Sequence, residues 1–306
     1  MKAAITGPTG SIGSELAEEL IENGHEVIAI VRPGSPRIKN LPESNLVQII
    51  ECDISDYKSL RGKNSCDIFF HLAWEGTTVV ARQDEKIQKD NINYTLDAAD
   101  LAKNWGAKKF VGAGSQAEYG PSNKQLTSST PINPISAYGK AKYEAGIRCG
   151  LYCSKKGIGF NWTRILSTYG KNDSEGTLIQ YVIRTLKEGR TPQLTKCKQR
   201  WDYIYSRDCA KALLAIGLKG IDGKTYCIGS GSVKPLKEYV EDIRSMIDPN
   251  LPVNYGAIDY YPDQPMMLCA DISELTRDTG FVPTTSFKEG IRMILNHQYP
   301  DTSSQN

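Results

Sequence analysis

The sequence predicts an α/β protein: a doubly wound parallel sheet with a smaller C-terminal lobe. Three observations carry this. Short apolar runs alternate with amphipathic stretches through the first 165 residues, the pattern of parallel strands covered by helices on both faces. A glycine-rich turn joins the first apolar run to the first amphipathic one. Beyond residue 230 the pattern loosens and becomes richer in proline, which marks a separate, less regular unit.

In chain order, the apolar runs at 2–5, 26–31, 46–52, 67–73, 108–113 and 159–165 read as strands. Helical patterns fill 11–23, where Ile12, Leu16 and Leu20 recur at four-residue spacing, and 84–104. Residues 207–219 and 225–229 add one more helix and strand of the same kind. Pro235 opens a helix whose apolar positions are Leu236, Tyr239, Val240, Ile243 and Ile247. Ser286 and Glu289 form a capping box for a last helix reaching about His297. The division expected is 1–166, with 200–229 returning to it, as one unit, and 167–199 with 230–306 as the other. There is no internal repeat, and only the last few residues read as disordered.

Composition narrows the partners. A chain of 306 residues suits a large α/β unit packed with a small one. With 24% charged and 40% hydrophobic residues and a net charge of +2, nothing points to nucleic acid or a membrane surface. Apolar runs such as 27–31 fall far short of the ~20 residues that cross a bilayer. A strand-like stretch begins at residue 2 with no export signal before it, so the cytoplasm is the expected compartment. The eight cysteines lack a close Cys-x-x-Cys pair and there are three histidines. Reduced, buried thiols are therefore expected, and no metal site.

The segment "KAAITGPTGSIGSEL" runs from strand to helix through Gly7, Gly10 and Gly13. Glycines there let the backbone approach a pyrophosphate, and the helix N-terminus supplies amides and a positive dipole end. This predicts a Rossmann-type dinucleotide site on Gly7, Thr9, Gly10, Ser11, Ile12 and Gly13. An NAD site usually ends its second strand with an acid, but this chain reads "AIVRPGSPR". Arg32, with Ser35 and Arg37 nearby, suits a 2′-phosphate, so NADP(H) is favoured and NAD(H) left open. Asp53, followed by Ile54, is placed to meet the adenine amino group, and Leu72 and Ala73 lie along the cofactor.

In "SAYGKAK", Tyr138 and Lys142 stand at i and i+4 on one helix face. A phenol of ordinary pKa ~10 is a poor base at neutral pH, but a neighbouring ammonium and a cationic nicotinamide favour the phenolate. Ser115, at the end of the fifth strand, is placed to hydrogen-bond the same substrate oxygen. Lys140 and Ser136 fall outside this chemistry, and His71 reads as a packed strand-end residue rather than a base.

Thr6-Gly-x-x-Gly-x-x-Gly13, "HLAW" at 71–74, "GSQAEYG" at 114–120, Tyr138-x-x-x-Lys142 and "DYIYSRDCAKAL" at 202–213 occur in this order. Together they resemble the extended short-chain dehydrogenase/reductase family, in its NAD-dependent epimerase/dehydratase group acting on nucleotide sugars. The resemblance covers nearly the whole chain. It implies a catalytic trio of Ser115, Tyr138 and Lys142, with Lys142 also holding the nicotinamide ribose. It further implies a nucleotide-sugar substrate bound by the smaller lobe, and a homodimer joined through 138–156 and 84–104.

The sequence also departs from that family. Sugar dehydratases place an Asp-Glu pair after the position of Ser115; here Gln116 and Ala117 follow, and Glu118, in an extended segment, faces the other side. Dehydration is therefore disfavoured; of what remains, the expected NADP(H) preference favours reduction of a 4-keto deoxysugar, with epimerisation on tightly bound NAD second, and a non-catalytic dinucleotide sensor is the rival of another class. Ser167, Trp201 and Tyr261 replace the asparagine and two arginines that usually hold the substrate diphosphate, with Arg200 displaced by one. Arg164, Lys171, Arg200 and Arg207 are candidates for an anionic group, and Tyr203, Tyr205, Tyr260 and Tyr261 for an aromatic cluster that stacks a base or sugar. Gln116, Trp74 and Glu75 are expected on the substrate side, with Glu75 contacting a sugar hydroxyl.

Overall fold

The computed structural model describes residues 1–261 and 264–300; the expectation for the last few residues, 301–306, lies outside them. The strands are β1 (Lys2–Thr6), β2 (Glu26–Val31), β3 (Val47–Glu51), β4 (Ile68–His71), β5 (Lys109–Ser115), β6 (Gly159–Ile165), β7 (Ser167–Tyr169), β8 (Gln193–Leu194), β9 (Arg200–Trp201), β10 (Tyr203–Tyr205), β11 (Thr225–Ile228), β12 (Lys234–Pro235), β13 (Asn254–Tyr255) and β14 (Met267–Leu268). The helices are α1 (Ser11–Glu22), α2 (Glu85–Asn104), α3 (Ala137–Lys156), α4 (Leu178–Lys187), α5 (Ser206–Lys219), α6 (Leu236–Ile247), α7 (Ser273–Thr279) and α8 (Phe287–Gln298).

Seven strands form one sheet in the order β11-β6-β5-β4-β1-β2-β3, and every pairing in it is parallel. The winding reverses between β1 and β4, and such a switch point opens a crevice at the carboxyl ends of the strands. Leu16 and Leu20 of α1 and Leu213 and Ile216 of α5 cover one face. Ile92 and Leu101 of α2 and Ala145 and Cys149 of α3 cover the other. Burial on both faces explains why β1, β2 and β4 are near-continuous apolar runs rather than alternating.

The remaining pieces assemble around a separate cluster that includes Ile183, Val240, Ile243 and Ile294 from α4, α6 and α8. Ser286 and Glu289 cap α8 reciprocally, as their spacing implies. The chain rejoins the main sheet later than residue 200, where the sequence places the return. Residues 200–205 instead pair as β9 with β12 and β14 and as β10 with β7, and only α5 and β11 go back. All eight cysteines are unpaired and buried.

Candidate active site

The crevice at the switch point is a cleft of about 500 Å³. Its near wall is the glycine turn. Gly7 takes φ +69°, and a Cβ there would stand 2.8 Å from the Ala73 nitrogen, so the turn packs directly on the chain leaving β4. A Cβ on Gly13 would strike the Gly7 carbonyl, whereas one on Gly10 would meet only that carbonyl, at 3.5 Å. Gly10 is therefore demanded by no protein neighbour; it keeps the cleft side open. It is also the N-cap of α1 and provides no side-chain cap, which leaves first-turn amides for a ligand. Ser11 Oγ is buried there without a partner. Open first-turn amides, an orphaned hydroxyl and room above Gly10 fit a dinucleotide pyrophosphate.

Gly7, Gly10, Ser11, Ile12, Gly13 and Leu72 line the cleft. Thr9 does not: its carbonyl accepts a hydrogen bond from Asn40. Nor does Ala73, whose nitrogen donates to Thr6 Oγ1 at 3.3 Å. Arg32 is exposed just beyond β2, and its charge reaches Asp53. Asp53 caps a short turn through Ser55, at 3.0 Å to its nitrogen and 2.6 Å to its hydroxyl, and these bonds hold its carboxyl below the usual range. Ile54 follows, packed against the core.

Ser115, Tyr138 and Lys142 come together on the cleft wall. Ser115 ends β5, and Tyr138 and Lys142 lie on the first turns of α3, whose N-cap is Ser136. That end of a helix favours negative charge. Tyr138 is buried, and burial raises its pKa; Arg82 and the Ser115 hydroxyl pull it down, and Glu118 opposes them. Lys142 Nζ donates to the Ala113 carbonyl at 2.7 Å and lies 3.6 Å over the Trp74 ring. Its pKa is pushed down to about 7, chiefly by burial. Trp74 meets Tyr138 edge-on at 5.9 Å. Lys140 is exposed and outside the cleft. His71 is buried between Thr6 at 2.8 Å and Thr95 at 3.3 Å, with its pKa pushed down to about 3 by burial, so it is a packed residue.

The expected orientation of Glu118 is overturned, because the chain does not stay extended. Residues 116–118 turn tightly, and Glu118 folds back beneath Ser115. One carboxylate oxygen accepts from the Ser115 nitrogen at 2.8 Å and from Trp162 Nε1 at 2.9 Å, and the other from Arg164 Nε at 2.8 Å. Arg164 also donates to Tyr119 and to the Ser128 carbonyl, at 3.1 Å each.

That pairing removes Arg164 from the anion-binding candidates, and two others go the same way. Lys171 is bound to Glu18 at 2.8 Å, and Arg207 to Glu19 at 2.8 Å and Glu18 at 3.0 Å. Arg200 is exposed, donates to the Val233 carbonyl and is not among the residues that line the cleft. Ser167 and Tyr203 do line the cleft, and Gln116 with them. The two unusual residues Ser167 and Trp201 contact each other, Nε1 to Oγ at 2.7 Å. The four tyrosines do not make one cluster. Tyr203 and Tyr205 pack around Tyr169, whereas Tyr260 accepts from the Lys198 nitrogen and Tyr261 is 79% exposed. Glu75 is exposed, its backbone held by Asn91, and it is not part of the cleft wall.

The sequence reading missed Arg82 and Asp173, both on the cleft wall. Arg82 lies in a single helical turn, Ala81–Gln83, and Asp173 in a loop, and neither is long enough for periodicity to mark a facing direction.

Comparison with known proteins agrees with this geometry. Residues 3–229 match the NAD dependent epimerase/dehydratase family. An uncharacterized UDP-glucose epimerase of Bacillus subtilis (strain 168) is 26% identical, over 95% of this chain and 96% of its own. CDP-abequose synthase of Salmonella muenchen is also 26% identical, over 96% and 97%. A UDP-N-acetylglucosamine 4-epimerase from Methanobrevibacter ruminantium M1, solved with UDP-N-acetylmuramic acid, superposes with a TM-score of 0.87 at 25% identity, over 97% of each chain. The cleft, the trio and these matches together make the chain an enzyme of the extended short-chain dehydrogenases/reductases, belonging to the NAD-dependent epimerase/dehydratase family.

Proposed function

We propose that the chain reduces the 4-keto group of a nucleotide-activated deoxysugar. The observation that carries this is the convergence of Ser115, Tyr138 and Lys142 on one wall of the cleft that holds the open glycine turn. A nicotinamide dinucleotide held by the Gly7–Gly13 turn and Lys142 would supply the hydride for the carbonyl carbon. Tyr138 gives a proton to the carbonyl oxygen, Ser115 donates a hydrogen bond to the same oxygen, and Lys142 favours the phenolate left behind. The dehydration chemistry of the family is disfavoured because Gln116 and Ala117 carry no acid and Glu118 is committed to Arg164.

Arg32, exposed and beside Asp53, supports NADP(H) over NAD(H). Residues 1–166 with 206–229 would carry the dinucleotide and the remainder the sugar nucleotide, with Ser167, Gln116, Trp74 and Tyr203 on the substrate side. No helix among the described residues is long and apolar enough to cross a membrane, in keeping with a cytoplasmic enzyme. A homodimer through α2 and α3 is supported by Ile147 and Leu151, 50% and 60% exposed on α3. Sedimentation of Leu151→Glu as a lighter species than the parent checks it, and a monomeric parent would sink it.

Epimerisation is the second reading, favoured by the names of the relatives. Mass spectrometry of cofactor released on denaturation separates the two. A site that arrives empty and takes NADPH in preference supports reduction, and stoichiometric retained NAD supports epimerisation. In either case Tyr138→Phe should lose at least a hundredfold in turnover while keeping cofactor affinity; turnover within a few-fold of the parent would remove Tyr138 from the chemistry.

A further inference from the structure

The segment between β4 and α2 is fastened by side chains of α2. Asn91 holds both backbone groups of Glu75, at 2.8 and 3.0 Å. Gln88 donates to the carbonyls of Gly76 and Ala81 at 2.9 Å each and accepts from Trp74 Nε1 at 2.8 Å. The residue that follows, Arg82, is thereby delivered to the cleft wall, its guanidinium carbon 4.8 Å from the centroid of the Tyr138 ring. It has no ion-pair partner among the described residues, whereas Arg164, Lys171 and Arg207 are all paired. The phenol is thus bordered by Ser115 from β5, by Trp74 and Arg82 from this segment and by Lys142 from its own helix, with Glu118 as the acid behind Ser115.

These groups do not act alike. Burial and Glu118 disfavour the Tyr138 phenolate; Arg82 and the Ser115 hydroxyl favour it. Lys142, on the same helix, has its own charge weakened: burial, helped by Arg82 and opposed by Glu118, pushes its pKa down to about 7. An arginine does not lose its proton in a protein, and a cation on an aromatic face is attracted more strongly once the ring bears negative charge.

We propose that Arg82 is a positioning residue for proton transfer: its guanidinium, lying on the Tyr138 ring, supplies the fixed positive charge that stabilises the phenolate. This rests on Tyr138 being the proton-transfer group, and the test reads the phenol without needing turnover. Phenolate absorbance is followed in rapid pH jumps that precede unfolding, for the protein as purified and for Tyr138→Phe; the difference isolates Tyr138. In Arg82→Gln the Tyr138 midpoint should rise by about one pH unit, a tenfold smaller phenolate fraction at a given pH. Arg82→Lys should recover at least half of that shift. A midpoint unmoved in Arg82→Gln, or Arg82→Lys behaving as Arg82→Gln, overturns the proposal. With a turned-over substrate followed in the reductive direction, where Tyr138 must carry its proton, the alkaline limb of the pH–rate profile should move up by the same amount at constant KM. A raised KM with an unmoved limb would assign Arg82 to holding substrate and overturn it too. Failure of the underlying reading looks different: Tyr138→Phe would still turn over while the titration shift persisted.

Discussion

Glu118 shows how far a single side chain can depart from its position in a motif. It is fully buried, and its two oxygens serve Ser115, Trp162 and Arg164. Arg164 is 93% buried in turn, with 7% of its surface exposed. Removing one member of such a pair strands the other charge, which costs about 3–5 kcal/mol. Glu118→Ala should therefore lower the urea midpoint by that equivalent, and Glu118→Gln by less, because an amide oxygen still accepts from the Ser115 nitrogen. An unchanged midpoint in Glu118→Ala would show that the pair is not what holds the turn. Tyr138 and Lys142 were legible in the sequence because helix geometry places i and i+4 on one face. Glu118 was missed although Ser115-x-x-Glu118 has the same capping-box spacing that marks the start of α8, because the segment reads as a continuation of the extended strand.

Among the elements, the turn from β1 into α1 separates what folding requires from what a ligand requires. A Cβ on Gly13 would meet the Gly7 carbonyl, so Gly13→Ala must shift backbone and should cost about 1–3 kcal/mol of stability. A Cβ on Gly10 makes only ordinary contact with the protein but stands on the cleft side. Gly10→Ala should keep its melting temperature and lose at least tenfold in dinucleotide affinity by titration calorimetry; unchanged affinity would mean that the pyrophosphate lies elsewhere. The same turn was readable from sequence because three glycines between an apolar run and an amphipathic one have few other uses. The long strands and helices were readable for a similar reason: periodicity accumulates over many residues. Strands of two residues, such as β8, β9 and β12, carry no period, and it was in that region that the return to the main sheet was placed too early.

At the scale of the whole molecule, the cleft lies between the sheet and the smaller lobe, and Asp173 is the lobe residue that bears the cost of forming it. Asp173 lines the cleft, accepts from the Ser174 nitrogen at 3.0 Å, and leaves its other oxygen enclosed without a partner. Burial raises its pKa to about 6, with the Ser174 amide, the nearby Thr177 hydroxyl and the charge of Arg37 opposing. The folded state therefore holds a proton between about pH 4 and 6 that the unfolded chain has already released. The stability contributed by this group is full below about pH 4 and is lost as pH rises through about 6. At pH 7 the ionised carboxylate costs up to about 3 kcal/mol. Asp173→Asn removes the charge with little change of shape, so its unfolding midpoint should exceed the parent's at pH 7.5 and match it near pH 4. Glu15 and Asp202, also raised by burial, are present in both proteins and cancel from the comparison. Equal stability of the two proteins at pH 7.5 would mean that the enclosed oxygen is solvated after all. If the stability gain is found, a carboxylate kept in the cleft at that cost calls for a hydrogen-bond donor on the ligand. Asp173→Asn, more stable at pH 7.5, should then bind a sugar nucleotide more weakly than the parent, with the difference disappearing as pH falls below about 6.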